Sequence, residues 1–453
     1  MPIENTHDTG EQRSSPPAVG TTLMTIPNEI LEKIFIKIAL DAAAVWSHIF
    51  LPFNTNPKGI LTLMLVCQKW HRIAEPILYR RQQYIAKPPI TSEHAGSLLH
   101  LLDRKPYLAG YIRELSIDAR PDNFDEAVLK ILHHCKRLTL LHLDGQLSAP
   151  PSAVPAAIQS LPLKSLSITT VESSLLRDGF FNFLLGLRYL ENLKIGDWAS
   201  PYPTTDLKRL PADFRRQSNI KTLQLKEPNT YPTLTEDCLA LSAALEEVIL
   251  TGFEFSRSSW YYSSDQIQAL LLPHCDSLRR VELSSILKGD STPCPLPDFS
   301  VFPRLEQLSL CPYHVFYHEK PTDLYRKLAA PNLQLLILHF HPESTHYVGA
   351  DVFGEAQIDW LEEFASVHSQ TCLAANFREL HIIFFPSVED SEDLSWPWDR
   401  LDRAAEIVSR HGIKLIYSEP PTSRAEWETE AEAMAKVLKE GAARRKLREQ
   451  QRE

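Results

Sequence analysis

Three groupings of metal-binding or nucleophilic side chains occur along the chain: His133-His134-Cys135, His274-Cys275, and Cys311 with His314 and His318. Imidazole and thiolate are the usual zinc ligands, and a structural site closes a tetrahedron of four. The last grouping supplies three ligands, with no fourth apparent. Cys135 and Cys275 each stand three residues before a recurring hexad, which begins at Leu138 and at Leu278. A register shared in this way belongs to packing at the end of a helix. All three groupings are therefore assigned to packing, and neither a metal nor a cofactor is expected. The chain carries no G-x-S-x-G, no phosphate loop ending in Gly-Lys-Ser/Thr, no G-x-G-x-x-G and no H-E-x-x-H. With only 15 glycines in 453 residues, it lacks the loops that wrap a nucleotide. No enzymatic role is expected.

Two aromatic runs remain, Trp260-Tyr261-Tyr262 and Tyr313, Phe316, Tyr317. Large rings can plug gaps in an irregular core or anchor a partner, and plugging is the commoner fate. Two long inserts lie towards the C-terminus. One, 341–376, includes Trp360 and Phe364. The other, 386–399, carries Glu389, Asp390, Glu392, Asp393, Trp396 and Trp398. Long segments on a rigid scaffold are where binding residues collect.

The scaffold itself is written as a repeat. The pattern Leu-x-x-Leu-x-Leu, with Ile or Val allowed, starts at positions 112, 138, 163, 190, 220, 245, 278, 305 and 333, and weaker copies follow at 377 and 413. The first nine starts are 25 to 33 residues apart, and the next follows after 44. Each alternating run is a short strand with one buried face, and no repeat buries its apolar edge without a neighbour. Intervening segments such as 125–135 and 264–274 have apolar residues at helical spacing, so the outer wall is at least partly helical. This chain resembles a leucine-rich-repeat protein, whose period is roughly 20–29 residues. It departs from that pattern at the ninth position, where Gln146, Val171, Trp198, Pro228, Phe253, Ile286, Tyr313 and His341 replace the usual Asn or Cys. The resemblance implies parallel strands on a concave face. Residues between the buried hexad positions should line it: Asn192, Lys194, Thr222, Gln224, Glu247, Arg280, Glu282, Gln307, Glu379 and His381. Their mixed charge suits a polar protein epitope.

Ahead of the repeats, Ile30, Leu31, Ile34, Phe35 and Ile38 form an apolar stripe at helical spacing, with Thr25 or Asn28 as cap and Pro27 at the start. A second helical segment, 61–78, carries Leu61, Leu65, Val66, Trp70, Ile73 and Ala74, and Pro76 should break or kink it. Between them 41–60 is turn-forming, with Pro52, Asn54, Asn56, Pro57 and Gly59. A helical unit this small buries little on its own, so it either caps the larger domain or offers its leftover apolar surface to a partner. Ile26-Pro27-x-Glu29-Ile30-Leu31-x-x-Ile34-Phe35, followed by Leu65-Val66-Cys67-x-x-Trp70-x-x-Ile73-Ala74-x-Pro76-x-Leu78-Tyr79, resembles the F-box. The match covers 25–84 and has about twenty residues more than the compact pattern between its halves. The resemblance implies docking on a Skp-type adaptor and, through it, on a cullin–RING scaffold. Its adaptor-facing set would be Pro27, Ile30, Leu31, Ile34, Phe35, Leu65, Val66, Trp70 and Ala74.

The expected fold class is thus α/β, an all-α helical unit followed by an irregular solenoid. The expected domains are 1–22 (disordered), 23–84 (F-box-like, insertion at about 41–60), 85–420 (repeats) and 421–453 (charged helix or tail). In that tail acids come early and bases late, which complements a helix dipole. A net charge of -10 argues against nucleic acid as the main partner. Seven scattered cysteines without a CxxC suit reduced thiols. No secretory signal and no membrane-spanning stretch are seen, so a cytoplasmic or nuclear location is expected. The expected function is substrate recruitment to an SCF-type ubiquitin ligase through an unknown protein target. A repeat scaffold outside any ligase, or a ligand-sensing receptor, are the alternatives.

Overall fold

The computed structural model describes residues 26–40, 57–86, 97–119, 124–147, 153–172, 179–199, 209–226, 232–251, 262–284, 296–312, 315–316, 319–340, 353–371, 374–384, 398–418 and several between 424 and 440. The fold is mixed α/β, dominated by one twelve-stranded sheet in which strand order follows chain order and every neighbour is parallel. The strands are β1 (Arg81–Ala86), β2 (Glu114–Ala119), β3 (Leu140–Leu147), β4 (Ser165–Glu172), β5 (Asn192–Ala199), β6 (Thr222–Lys226), β7 (Glu247–Thr251), β8 (Arg280–Ser284), β9 (Gln307–Leu310), β10 (Leu335–Phe340), β11 (Glu379–Phe384) and β12 (Lys414–Tyr417). All eleven hexads fall on β2 to β12.

The register follows the hexad. Leu115, Leu141, Leu166, Leu193, Leu223, Val248, Val281, Leu308, Leu336, Leu380 and Leu415 stand opposite one another from strand to strand. They are buried in a single core that runs the length of the sheet. Parallel strands need a crossover, and here helices supply most of it. They are α4 (Ser97–Arg104), α5 (Phe124–His134), α6 (Val154–Gln159), α7 (Phe180–Gly186), α8 (Pro232–Leu241), α9 (Ser264–Leu271), α10 (Pro321–Lys327), α11 (Glu355–Thr371) and α12 (Trp398–Ser409). Their buried residues belong to the same core, so among the described residues the wall covers one sheet face and leaves the other open.

The ninth position lacks the usual Asn or Cys, and side-chain amides bond the coil just ahead of the hexad. Asn219, Asn332 and Asn376 each donate from the side-chain amide to a carbonyl of the preceding coil, on Arg188, Pro303 and Pro331, at 3.1, 2.7 and 2.7 Å. One residue before each of six strands, charges alternate along the sheet, pairing Lys164 with Glu191, Lys221 with Glu246 and Arg279 with Glu306. Exposed pairs of this kind contribute about 0.2–1 kcal/mol each.

Among the described residues the N-terminal unit has three helices, α1 (Asn28–Leu40), α2 (Pro57–Met64) and α3 (Gln68–Arg80), here numbered ahead of the wall helices. Two expectations are corrected. Segment 61–78 is not one helix, because the chain turns at residues 65–67 between α2 and α3. Pro76 does not end α3, which continues to Arg80: Ile77 and Leu78 pack on the small core and Tyr79 on the large one, which outweighs one lost backbone hydrogen bond. Helix α3 then runs straight into β1, whose Tyr84 is buried in the sheet core, so 81–84 belongs structurally to the sheet. A third correction concerns Trp360 and Phe364. They lie on α11, stacked 5.4 Å apart, with Phe316 5.2 Å from Trp360 and Tyr325 5.7 Å from Phe364. They fill the wall and are not part of a binding loop.

Candidate functional site

Helix α1 carries two apolar stripes. Leu31, Phe35 and Ala39 are buried, and with Ile60 and Ala74 they form a small core separate from that of the sheet. Ile30 and Ile34, one position round the helix, point away from it and are 46% and 43% exposed. At the α2–α3 turn Leu65 and Val66 are 87% and 57% exposed, and Leu61 is 48% exposed. Pro27 is exposed as well. Trp70 is half-buried, its ring edge-on to Phe35 at 5.3 Å. Of the nine expected adaptor-facing residues, Leu31, Phe35 and Ala74 therefore build the core that holds the others in place. Of the nine large exposed hydrophobic residues among those described, five lie in this unit.

The unit is firmly joined to the sheet. The Tyr107 hydroxyl donates to Glu75 at 3.2 Å, and Arg81 and Arg80 reach Glu114 at 2.6 and 3.7 Å.

The ten residues expected between the buried hexad positions fall on β5 to β9 and β11, alternating with the buried ones. Asn192 and Lys194 are exposed, and Thr222, Gln224, Glu247, Arg280, Glu282, Gln307, Glu379 and His381 are partly exposed. Glu247 accepts from Arg280 at 2.8 Å and from the Thr222 hydroxyl at 3.3 Å, and Arg280 also reaches Glu282 at 3.3 Å. His381 contacts Glu379 at 3.1 Å. Desolvation on the open face, and the neighbouring charge of Lys226, lower the Lys194 pKa. Arg280 Nε and the Ser309 hydroxyl are buried on neighbouring strands without a hydrogen-bond partner. Ser309 was not anticipated from sequence, because a Ser in an alternating strand gives no sign that its hydroxyl will be left unmatched.

Within the His/Cys groupings, Cys135, His274 and Cys311 are buried. His274 is buried between Leu239, whose carbonyl lies 3.1 Å from Nε2, and the Leu245 N–H, which donates to Nδ1 at 3.4 Å. Both ring nitrogens are occupied by the neutral form, and burial lowers the pKa. Cys135 is buried and its thiol is pushed up to about 12 by desolvation. Cys311 is buried, while His314 and His318 lie outside the described residues. No group of three or more metal-ligating side chains occurs among the described residues. Tyr262 is buried with its hydroxyl on the Pro232 carbonyl, which makes it a plug; Trp260, Tyr261, Tyr313, Tyr317 and Trp396 lie outside the described residues. No described helix is long and apolar enough to cross a membrane. No family model and no curated protein matches the chain.

Proposed function

We propose that this chain is a substrate-recruiting subunit of an SCF-type ubiquitin ligase. The F-box-like unit docks on a Skp-type adaptor, and through it on a cullin–RING scaffold, while the open face of the leucine-rich-repeat-like sheet holds a protein target. The observation that carries the reading is the pairing of two stripes on one small unit: Leu31, Phe35 and Ala74 inside, with Ile30, Ile34, Leu65 and Val66 outside. A mere cap would turn its second apolar stripe onto the sheet, whereas here α3 makes that junction through Tyr79, Glu75 and Arg80. On the open face, a buried donor left without an acceptor costs about 1–3 kcal/mol. The carbonyl groups of a target laid across β8 and β9 would supply acceptors for Arg280 Nε and Ser309. The role is recruitment by proximity, with the chemistry on other proteins.

The reading is tested by co-purifying a Skp-type adaptor with the full-length chain and with a Leu65→Ser, Val66→Ser variant. The expected result is capture by the parent and loss in the folded variant. Absence of capture by the parent overturns the ligase reading.

A further inference from the structure

On the outer wall, away from the open face, α8, α9 and residues 209–216 line a half-open cleft of about 480 Å³. That volume lies within the usual span of small-ligand sites, roughly 300–1,000 Å³. Leu239, Ala240, Ala269 and Leu270 give the cleft an apolar wall, and three arginines, Arg209, Arg215 and Arg216, line it as well.

The three guanidinium groups are not equivalent. Arg209 is committed to the protein: its Nε and a terminal nitrogen meet the buried Asp237 carboxylate at 2.9 and 3.2 Å, and it reaches Glu236 at 3.1 Å. Arg215 and Arg216 make no ion pair with a described carboxylate. Arg216 donates one terminal N–H to the Pro273 carbonyl, which anchors the side chain at the rim without neutralising it. Its backbone sits at φ 61°, the left-handed region that a residue with a Cβ seldom occupies. The Arg216 N–H, bonded to the Ala240 carbonyl at 2.9 Å, holds it there. His274 also lines the cleft, but both of its ring nitrogens are already engaged, so it contributes no charge. Glu236 and Asp237 line the cleft too, so its five charged side chains sum to one positive charge; both carboxylates are held by Arg209, which leaves Arg215 and Arg216 as the cations beside the apolar wall that pair with no described carboxylate.

We propose that this cleft binds a phosphate monoester carried on an apolar body. A phosphate dianion matches two guanidinium forks at once, whereas a carboxylate balances only one. Leu239, Ala240 and Leu270 would cover the body. The inference stands apart from the ligase reading, since it concerns the wall and not the helical unit or the open face.

The test is calorimetric titration of the full-length protein with phenyl phosphate, inorganic phosphate, benzoate and phenol. Each is repeated on an Arg215→Gln, Arg216→Gly variant. Glycine accepts the positive φ, so this variant should unfold at the same temperature as the parent or higher. Phenyl phosphate should bind the parent and bind the variant at least tenfold more weakly. It should also bind more tightly than inorganic phosphate or benzoate, and phenol should not bind. Affinity should drop between pH 7.5 and pH 5, as the second phosphate ionisation, near about 6, is lost. No binding of phenyl phosphate at millimolar concentration, equal affinity in the variant, or benzoate binding as tightly as phenyl phosphate would each overturn the proposal. An end-blocked phosphotyrosine peptide separates the two sources of the same chemistry. Tighter binding than phenyl phosphate assigns the site to a phosphorylated side chain, and weaker binding to a free metabolite.

Discussion

Asp237 is almost fully buried, and three donors meet it: two from Arg209 and the Leu210 N–H at 2.8 Å. Asp237→Ala leaves those donors without a partner and opens space in α8. The expected cost is about 2 kcal/mol, below the 3–5 kcal/mol of a fully buried pair because Arg209 is half in solvent. Urea denaturation would measure it, and an unchanged midpoint would contradict this account. Burial also sets thiol reactivity: Cys135, Cys238 and Cys311 are buried, while Cys67 and Cys275 are partly exposed. Brief alkylation of the native protein should label Cys67 and Cys275 and spare the other three, as read by mass spectrometry of those five sites. Burial lowers the pKa of His142, His274 and His368. Between those depressed values and the ordinary value near about 6.5, the unfolded chain binds more protons than the folded one, so stability rises with pH. Their contribution is complete above that value and is lost as pH falls through the folded pKa values. The urea midpoint should therefore drop from pH 7.5 to pH 5.5, and less so in His274→Gln, whose amide can both accept and donate. An equal drop in the two proteins would refute the assignment. At this scale the sequence allowed Cys135 and His274 to be recognised as packing, since their two groupings share a place relative to the hexads. It gave no hint of Asp237, because an acid in a helix is ordinarily solvated.

The strands were legible because their period of two recurs in one register eleven times. β1 escaped notice because Gln82 occupies the position that Leu or Val holds in the other strands, opposite Leu115. The break between α2 and α3 was hidden by Leu61, Leu65 and Val66, whose helical spacing continues across a turn that exposes them. The bonds of Asn219, Asn332 and Asn376 were also missed, because they sit before the hexad and not after it. Between β4 and β5 the approach is very close: a Cβ on Gly196 would lie 2.5 Å from the Thr169 carbonyl oxygen. Gly196→Ala should therefore destabilise the sheet by about 1–3 kcal/mol, the usual cost of overpacking, and lower the unfolding temperature. A neutral substitution would mean that β4 and β5 can move apart freely. In the helical unit the two stripes of α1 should separate in mutagenesis. Leu31→Ala, in the core, should cost about 2–5 kcal/mol, whereas Leu65→Ser and Val66→Ser should each stay within about 0.5 kcal/mol of the parent.

At the scale of the whole molecule, one core extends from Tyr84 to Leu415, and a second, much smaller one lies beneath α1 to α3. Helix α3 touches both, through Ala74 on one side and Tyr79 on the other, so the helical unit and the sheet are joined at that junction. The proposed recruitment would need such a link, since a target on the open face would have to keep its distance from an adaptor on the helical unit. The measurement closest to this claim is a titration of purified Skp-type adaptor against the full-length chain and its Leu65→Ser, Val66→Ser variant, with both shown to unfold at the same temperature. The account predicts micromolar or tighter binding by the parent and at least a tenfold loss in the variant. Equal binding by the two proteins, or none by either, would contradict it.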